Sequence, residues 1–279
     1  MRYIELGKTG EEIPVLGQGF WGVSRLKGFI KGKSYYEKIK SVIRKGIELG
    51  MTHLDTAEFY GLGKAEEVMG ELIKEYPRDD LFITSKLFPI YFRNKSMMKA
   101  ANKSLKRLDL NYLDLYLIHW PSRFISIKKQ MEVLETLVKE GKTRYIGVSN
   151  FSVKQFKEAQ KCLKKEELVN NQLHINITNQ KHIHSSLPYY KENGITVTAY
   201  SPLAHRGYNN LKGKMRETLN QLALKYHSNI QQIAIAWLIN HENIITIPKA
   251  FNEEHVKTNA KAAEISLLQE DFERLYEFK

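Results

Sequence analysis

Residues 51–86 read MTHLDTAEFYGLGKAEEVMGELIKEYPRDDLFITSK, and this stretch decides the fold. Its two ends, 52–55 and 81–86, are short runs rich in β-branched and apolar residues. Between them, 64–75 carries a longer amphipathic run. Strand, helix and strand at that spacing form a βαβ unit, whose strands are parallel. The same alternation extends outward in both directions. Further strands are predicted at 15–19, 113–119, 144–149, 167–172, 195–200 and 244–248, which makes eight. Helical stretches are predicted at 35–48, 95–107, 126–140, 152–164, 182–193 and 229–240. In the first of these, Tyr36, Ile39, Val42, Ile43 and Ile47 fall on one stripe. A hairpin is predicted over 3–15, turning at Gly7, Lys8, Thr9 and Gly10, and helices at 253–262 and 268–277 come last. No composition shift, linker or close repeat divides residues 1–279, so one domain is expected. The fold class expected is α/β: a closed (β/α)8 TIM barrel with a short N-terminal hairpin and an extra C-terminal helix. An open doubly wound sheet is the rival.

The residues that close each strand separate the two. The second strand ends in Asp55, the third in Lys86, the fourth in His119 and the fifth in Ser149 and Asn150. The sixth ends in Gln172, the seventh in Tyr200, and Lys249 follows the eighth. In a barrel all these ends meet at one face, where barrel enzymes keep their sites. Asp55 and Lys86, on neighbouring strands, are placed to form a buried ion pair. Such a pair is costly against apolar packing, which favours a functional reason for it. Tyr60 follows in the loop DTAEFYG. A cation beside a phenol favours ionisation, so Lys86 is expected to lower the Tyr60 pKa and make it a general acid. His119 would orient the substrate oxygen or share its proton. No Ser or Cys nucleophile is paired with a base in this group. The set suits protonation of an oxygen, as in carbonyl reduction, and that requires a hydride donor such as a nicotinamide.

Composition sets the outer limits. The chain has 279 residues, 42% hydrophobic and 11% aromatic, which is globular rather than disordered. No run approaches the roughly 18 apolar residues of a membrane span. The N-terminus MRYIELGKTG has no apolar signal region, and the lone Cys162 has no partner for an internal disulfide. A soluble, cytoplasmic protein is expected. There are 43 basic residues, 11 of them Arg, against 31 acidic, giving a net charge of +12. Most of the lysines lie beside Glu on predicted helices, as in KCLKKEE at 161–167, so a nucleic-acid surface is not expected.

Taken together, DTAEFYG (55–61), KAEEVMGELIKE (64–75), ITSKL (83–87), YLDLYLIHWP (112–121), GKTRYIGVSNF (141–151), AYSPL (199–203) and IPKAFNEEHVKTN (247–259) resemble the aldo-keto reductase family. They follow the family's order and spacing over nearly the whole chain. The resemblance implies a (β/α)8 barrel that binds NADP(H) without a separate nucleotide domain and reduces aldehydes or ketones; NAD(H) is the alternative cofactor. It implies a tetrad of Asp55, Tyr60, Lys86 and His119, with Tyr60 the proton donor. Ser149, Asn150 and Gln172 would hold the carboxamide, and Tyr200 would stack on the nicotinamide. Ser201 and Leu203 would lie along the pyrophosphate, and Lys249, Asn252 and Asn259 would meet the adenosine end. Trp21 and Trp120 would wall the pocket of a small carbonyl substrate, and a monomer is the family default. The sequence departs from the family in places. Ala250 stands where Ser is frequent, Phe20 where Thr is frequent, and His255 where an Arg grips the 2′-phosphate. A neutral His is the weaker phosphate ligand, so NADP preference is open. Segment 22–34 is longer than expected and basic, and it is expected to lie over the cofactor or the pocket. The chain ends soon after the last predicted helix, so a more open pocket is expected.

Other readings compete. Gly17, Gly19 and Gly22 formally match G-x-G-x-x-G, the dinucleotide fingerprint of an open sheet. It needs a helix opening there, whereas 23–34 carries Gly28, Gly32 and scattered lysines, and Asp55 lies too far on. His182 and His184, with His174, His53 and Asp55, raise a metal site. Positions i and i+2 of a helix face apart, however, and no metal is expected. His205, His227 and His241 read as surface or loop histidines, and Cys162 as inert. An NADPH-binding barrel that acts as a sensor or regulatory subunit without turnover is the functional alternative, against which the intact tetrad argues.

Overall fold

The computed structural model describes residues 1–91, 93–204, 208, 211–250 and 252–276. The predicted hairpin forms: β1 (Tyr3–Glu5) pairs antiparallel with β2 (Glu12–Pro14). All eight predicted strands follow. They are β3 (Gln18–Gly19), β4 (His53–Asp55), β5 (Phe82–Leu87), β6 (Leu113–Ile118), β7 (Thr143–Ser149), β8 (Leu168–His174), β9 (Thr196–Tyr200) and β10 (Ile244–Thr246). Each is parallel to the next in chain order from β3 to β10. A bridge between Leu16 and Thr246, with Gly17 N donating to Thr246 O at 2.8 Å, joins the last strand to the first. The eight strands thus curl on themselves as a (β/α)8 fold, and the open-sheet rival falls with that closure.

Helices cover the outside: α1 (Arg25–Lys31), α2 (Lys33–Glu48), α3 (Lys64–Ile73), α4 (Asn94–Leu108), α5 (Ile127–Lys139) and α6 (Val153–Cys162). The series continues with α7 (Lys181–Ser185), α8 (Leu187–Glu192), α9 (Gly213–Lys225), α10 (Ile230–Ile239), α11 (Glu253–Lys261) and α12 (Gln269–Arg274). Their starts are written locally. Ser152 and Asn229 each close a capping box with a Gln three residues on, worth about 1 kcal/mol apiece. Three expectations are corrected. Helix α9 was not foreseen. The stretch expected at 182–193 is broken at Ser186 into α7 and α8, with Pro188 in the first turn of the second. And 25–31 is helical despite Gly28, with Ser24 as its N-cap; the glycine is required because a Cβ there would stand 1.9 Å from Tyr36 Oη of α2.

Strand parity sorts the core into an outside and an inside. Leu54, Ile83, Tyr116, Ile118, Ile146, Val148, Leu173 and Val197 face the helices in one large cluster. Phe82, Leu115, Leu117 and Ile245 point inward and meet Leu6 and Ile13 of the hairpin, which plugs the N-terminal end. The inward positions above this plug are polar. Asp55 continues His53, Lys86 continues Phe82 and Thr84, His119 continues Leu115 and Leu117, and Ser149, Gln172 and Tyr200 do the same on their strands. One parity rule therefore aims the site residues at the C-terminal mouth.

Candidate active site

The centre of the mouth is the Lys86 ammonium, which has no solvent exposure. Its three protons have three acceptors: Asp55 Oδ1 at 2.5 Å, the Thr56 carbonyl at 2.7 Å and Tyr60 Oη at 3.5 Å. Because Lys86 donates to the phenol oxygen, the phenol's own proton is free to point at a substrate. Asp55 Oδ2 accepts from Gln172 Nε2 at 2.8 Å, across 117 positions of sequence. Burial pushes the Lys86 pKa down, and Asp55 opposes that shift.

The expected lowering of the Tyr60 pKa is not what the geometry gives. Burial, then the Asp55 carboxylate, raise it well above the usual phenol value. Lys86 and Asp55 form a pair of no net charge, so the cation's pull is largely cancelled while desolvation is not. Tyr60 therefore holds its proton firmly in the free protein. His119 lies against it, the rings 5.6 Å apart and edge-on, and stacks on Trp120 at 3.9 Å. Burial, and next Lys86, push the His119 pKa down to about 2, so the ring is neutral at any physiological pH. Its Nδ1 has no hydrogen-bond partner among the described residues.

The residues expected to hold a carboxamide lie on one side of this group, linked to one another. Ser149 Oγ donates to the Gln172 carbonyl at 3.0 Å. Asn150 Nδ2 donates to the His119 carbonyl at 3.1 Å, and Asn150 Oδ1 accepts from Tyr200 Oη at 2.9 Å. Ser201 takes a positive φ of 53°, and its carbonyl accepts from Asn176, while Leu203 packs on the core. On the far side, Lys249 stands 5.3 Å over the Trp21 ring. Asn252 caps α11 by accepting from His255 N at 2.9 Å, and His255 is exposed. Trp21 and Trp120 are 55% and 38% exposed, as walls of an open mouth would be.

Sequence reasoning missed three contributors. Glu58 accepts from Phe88 N and Tyr91 Oη, fixing the loop beyond β5. Phe88 stacks on Phe59 at 4.3 Å and turns its edge to Trp120. His174 stacks under Tyr200 at 5.1 Å. Segment 22–34, expected to lie over the cofactor or the pocket, carries helix α1, whose Lys27 and Lys31 line a cavity on the Trp21 side of the mouth. Phe88 and His174 each lie two residues beyond a site residue, on the same strand parity, and that signal was available. The histidines weighed as metal ligands are spread out. His53 bonds Thr84, His182 bonds Ser186, and His174 bonds Asn176 and Asn179. No cluster of three metal-ligating groups occurs among the described residues. His241 is buried, not a surface residue, and bonds Tyr276 Oη; His205 lies outside the described residues.

The donor set suits a dinucleotide. Asn259 is 2% exposed, and its Nδ2 has no partner among the described residues. Gly22, at φ +92°, runs so close to Lys249 Nζ that a Cβ would stand 2.3 Å from it, leaving a bare backbone beside a cation. A cavity of about 800 Å³ at the opposite end of the barrel, with Glu12, Asp79 and Asp114 on its wall, contains none of these groups.

Comparison with known proteins gives the family. The model of the aldo/keto reductase family matches residues 15–279. The chain belongs to the aldo/keto reductase family. It is thus an NAD(P)H-dependent oxidoreductase of carbonyl compounds. It is 36% identical to a glyoxal reductase of Bacillus subtilis, covering 96% of this chain and 89% of that one. It is 32% identical to the methylglyoxal reductase YeaE of Escherichia coli, covering 91% and 87%. Among solved structures, the thermostable aldo-keto reductase Tm1743, in complex with epalrestat, superposes with a TM-score of 0.93 at 39% identity over all of both chains. An aldo/keto reductase of Klebsiella pneumoniae in complex with NADP and acetate gives 0.87 at 31% identity, over 98% of this chain and 93% of that one.

Proposed function

We propose that this aldo-keto reductase reduces small aldehydes and ketones, α-oxoaldehydes among them, with Tyr60 as proton donor and Asp55, Lys86 and His119 in support. One observation carries the reading: the buried Lys86 ammonium donates to Tyr60 Oη while Asp55 balances its charge. A bound nicotinamide would supply the hydride. Ser149, Asn150 and Gln172 would hold its carboxamide, and Tyr200 would lie against its ring. His119, held neutral, donates one ring N–H to the carbonyl oxygen and keeps that oxygen facing the phenol. As negative charge grows on the oxygen, the Tyr60 proton moves to it. The phenolate left behind accepts the Lys86 hydrogen bond, which is strongest when the phenol is ionised. The raised Tyr60 pKa fits this sequence, because the proton is released only to an oxygen more basic than a carbonyl. The exposed aromatic mouth of Trp21, Trp120 and Phe59 favours an open pocket for short substrates.

The whole chain would act as one domain, as a cytoplasmic monomer without a nucleic-acid partner. In support, many lysines are paired along helices, as in Lys45 with Glu48 and Lys257 with Glu254. No helix among the described residues is long and apolar enough to cross a membrane. The regulatory-barrel alternative gains no observation in its favour. Following NADPH absorbance with methylglyoxal, glyoxal and small sugars tests the reading. Tyr60→Phe should lose about 100-fold or more in kcat, the usual worth of a placed proton donor, while still quenching on NADPH binding. Near-normal turnover by that variant would refute the assignment.

A further inference from the structure

Helix α1 leaves its apolar stripe in water and buries only Gly28. Leu26, Phe29 and Ile30, which form one stripe, are 68%, 88% and 71% exposed. Lys27 and Lys31, on another face and also exposed, line a cavity of about 310 Å³. An amphipathic helix ordinarily buries the apolar stripe and solvates the charges. Local rules broken in this manner tend to mark functional sites. The orientation is built in. Ser24 caps the helix by accepting from Lys27 N at 3.2 Å, and Tyr36 Oη donates to the Ser24 carbonyl at 3.4 Å. Tyr35 Oη donates to the Gly22 carbonyl at 3.3 Å. Gly28 lets Tyr36 pass beneath the helix without a clash.

The cavity that α1 overhangs has an apolar floor of Ile39, Val42 and Ile43 from α2. Its walls bring Lys27, Lys31, Lys38 and Lys249 together, with no Asp or Glu among the described lining residues. Lys27, Lys31 and Lys38 make no ion pair among the described residues, whereas Lys40 and Lys45 on the same helix as Lys38 do. Burial, and then Lys27, push the Lys249 pKa down, as expected where cations crowd one another. A cavity with one sign of charge and an apolar floor concentrates anions of the opposite sign. The same cavity reaches Gly19, Trp21 and Gly22, so it opens onto the cofactor side of the mouth.

We propose that Lys27 and Lys31 of α1, with Lys38 and Lys249, grip a phosphate of the bound dinucleotide. The inference rests on the dinucleotide-dependent activity proposed for the mouth. It also gives segment 22–34 a role, since its lysines stand in for the arginine that is absent at position 255. The phosphate is either the 2′-phosphate or the pyrophosphate, and the two sources separate in one experiment. Calorimetric titration of NADPH and of NADH is run on the wild type, the Lys27→Gln/Lys31→Gln variant and the Lys27→Arg/Lys31→Arg variant. Melting curves establish that each is folded. The Gln pair should weaken NADPH binding at least tenfold, and the Arg pair should restore it. A loss confined to NADPH assigns the 2′-phosphate. An equal loss for NADH assigns the pyrophosphate. Unchanged Kd values for both in a Gln pair that is folded overturn the proposal and leave the enzymatic reading standing. Failure of the wild type to bind either dinucleotide overturns both.

Discussion

Asp55→Asn should destabilise the protein at neutral pH and make its stability climb as pH rises. Lys86 has no exposure, and Asp55 is its only ion-pair partner among the described residues. Removing one member of a buried pair typically costs about 3–5 kcal/mol, because the other charge is left desolvated. At about 2 °C per kcal/mol for a chain of this size, the Tm should fall by roughly 6–10 °C. The sign with pH follows from the direction of the Lys86 shift. Burial already holds its folded-state pKa below the unfolded value of about 10.4, and losing Asp55 lowers it further. Below the folded value both states are protonated and the full penalty applies. Between the two values the unfolded chain binds the extra proton, so stability rises with pH. The Tm gap between variant and wild type should therefore narrow as pH rises from neutral toward the unfolded Lys86 value of about 10.4, because the variant gives up the Lys86 proton first. Thermal melts of wild type, Asp55→Asn and Asp55→Leu/Lys86→Met over that range are the assay. The double variant buries no ion and should be more stable than the single one. A single variant as stable as wild type at pH 7, or a gap that widens with pH, would refute the argument.

Two further outcomes are expected. Lys86→Met should lower kcat by about 100-fold or more, since the phenolate formed at Tyr60 loses its cationic partner; turnover within a few-fold of wild type would remove Lys86 from that role. His255→Arg should tighten NADPH about fivefold over NADH, the worth of one exposed charge contact of roughly 1 kcal/mol; equal tightening of both would place position 255 away from the 2′-phosphate.

Much of the site was legible because it follows period two. Reading Asp55, Lys86, His119, Ser149, Gln172 and Tyr200 as strand ends was enough to collect them, since inward parity and parallel register do the rest. Phe88 and His174 obey the same rule and were within reach of it. Helix α9 was harder: its stripe is weakly amphipathic, and it begins at Gly213 with no side-chain cap. The break at Ser186 was likewise hidden, because Pro188 is tolerated in a helix's first turn and does not by itself announce a new one.

The sequence by itself determined the alternation of eight strands with helices, the identity of the groups at their ends and the family. Each of these is a matter of local spacing and of residue type. Only the tertiary structure decided that Leu16 meets Thr246 to close the barrel, that Gln172 reaches Asp55, and that α1 sets its lysines on the wall of a cavity beside Lys249. It also decided the direction of the Tyr60 shift. That direction is the balance of desolvation against a cation already neutralised by its partner, and neither burial nor the Lys86–Asp55 distance is written in the order of residues.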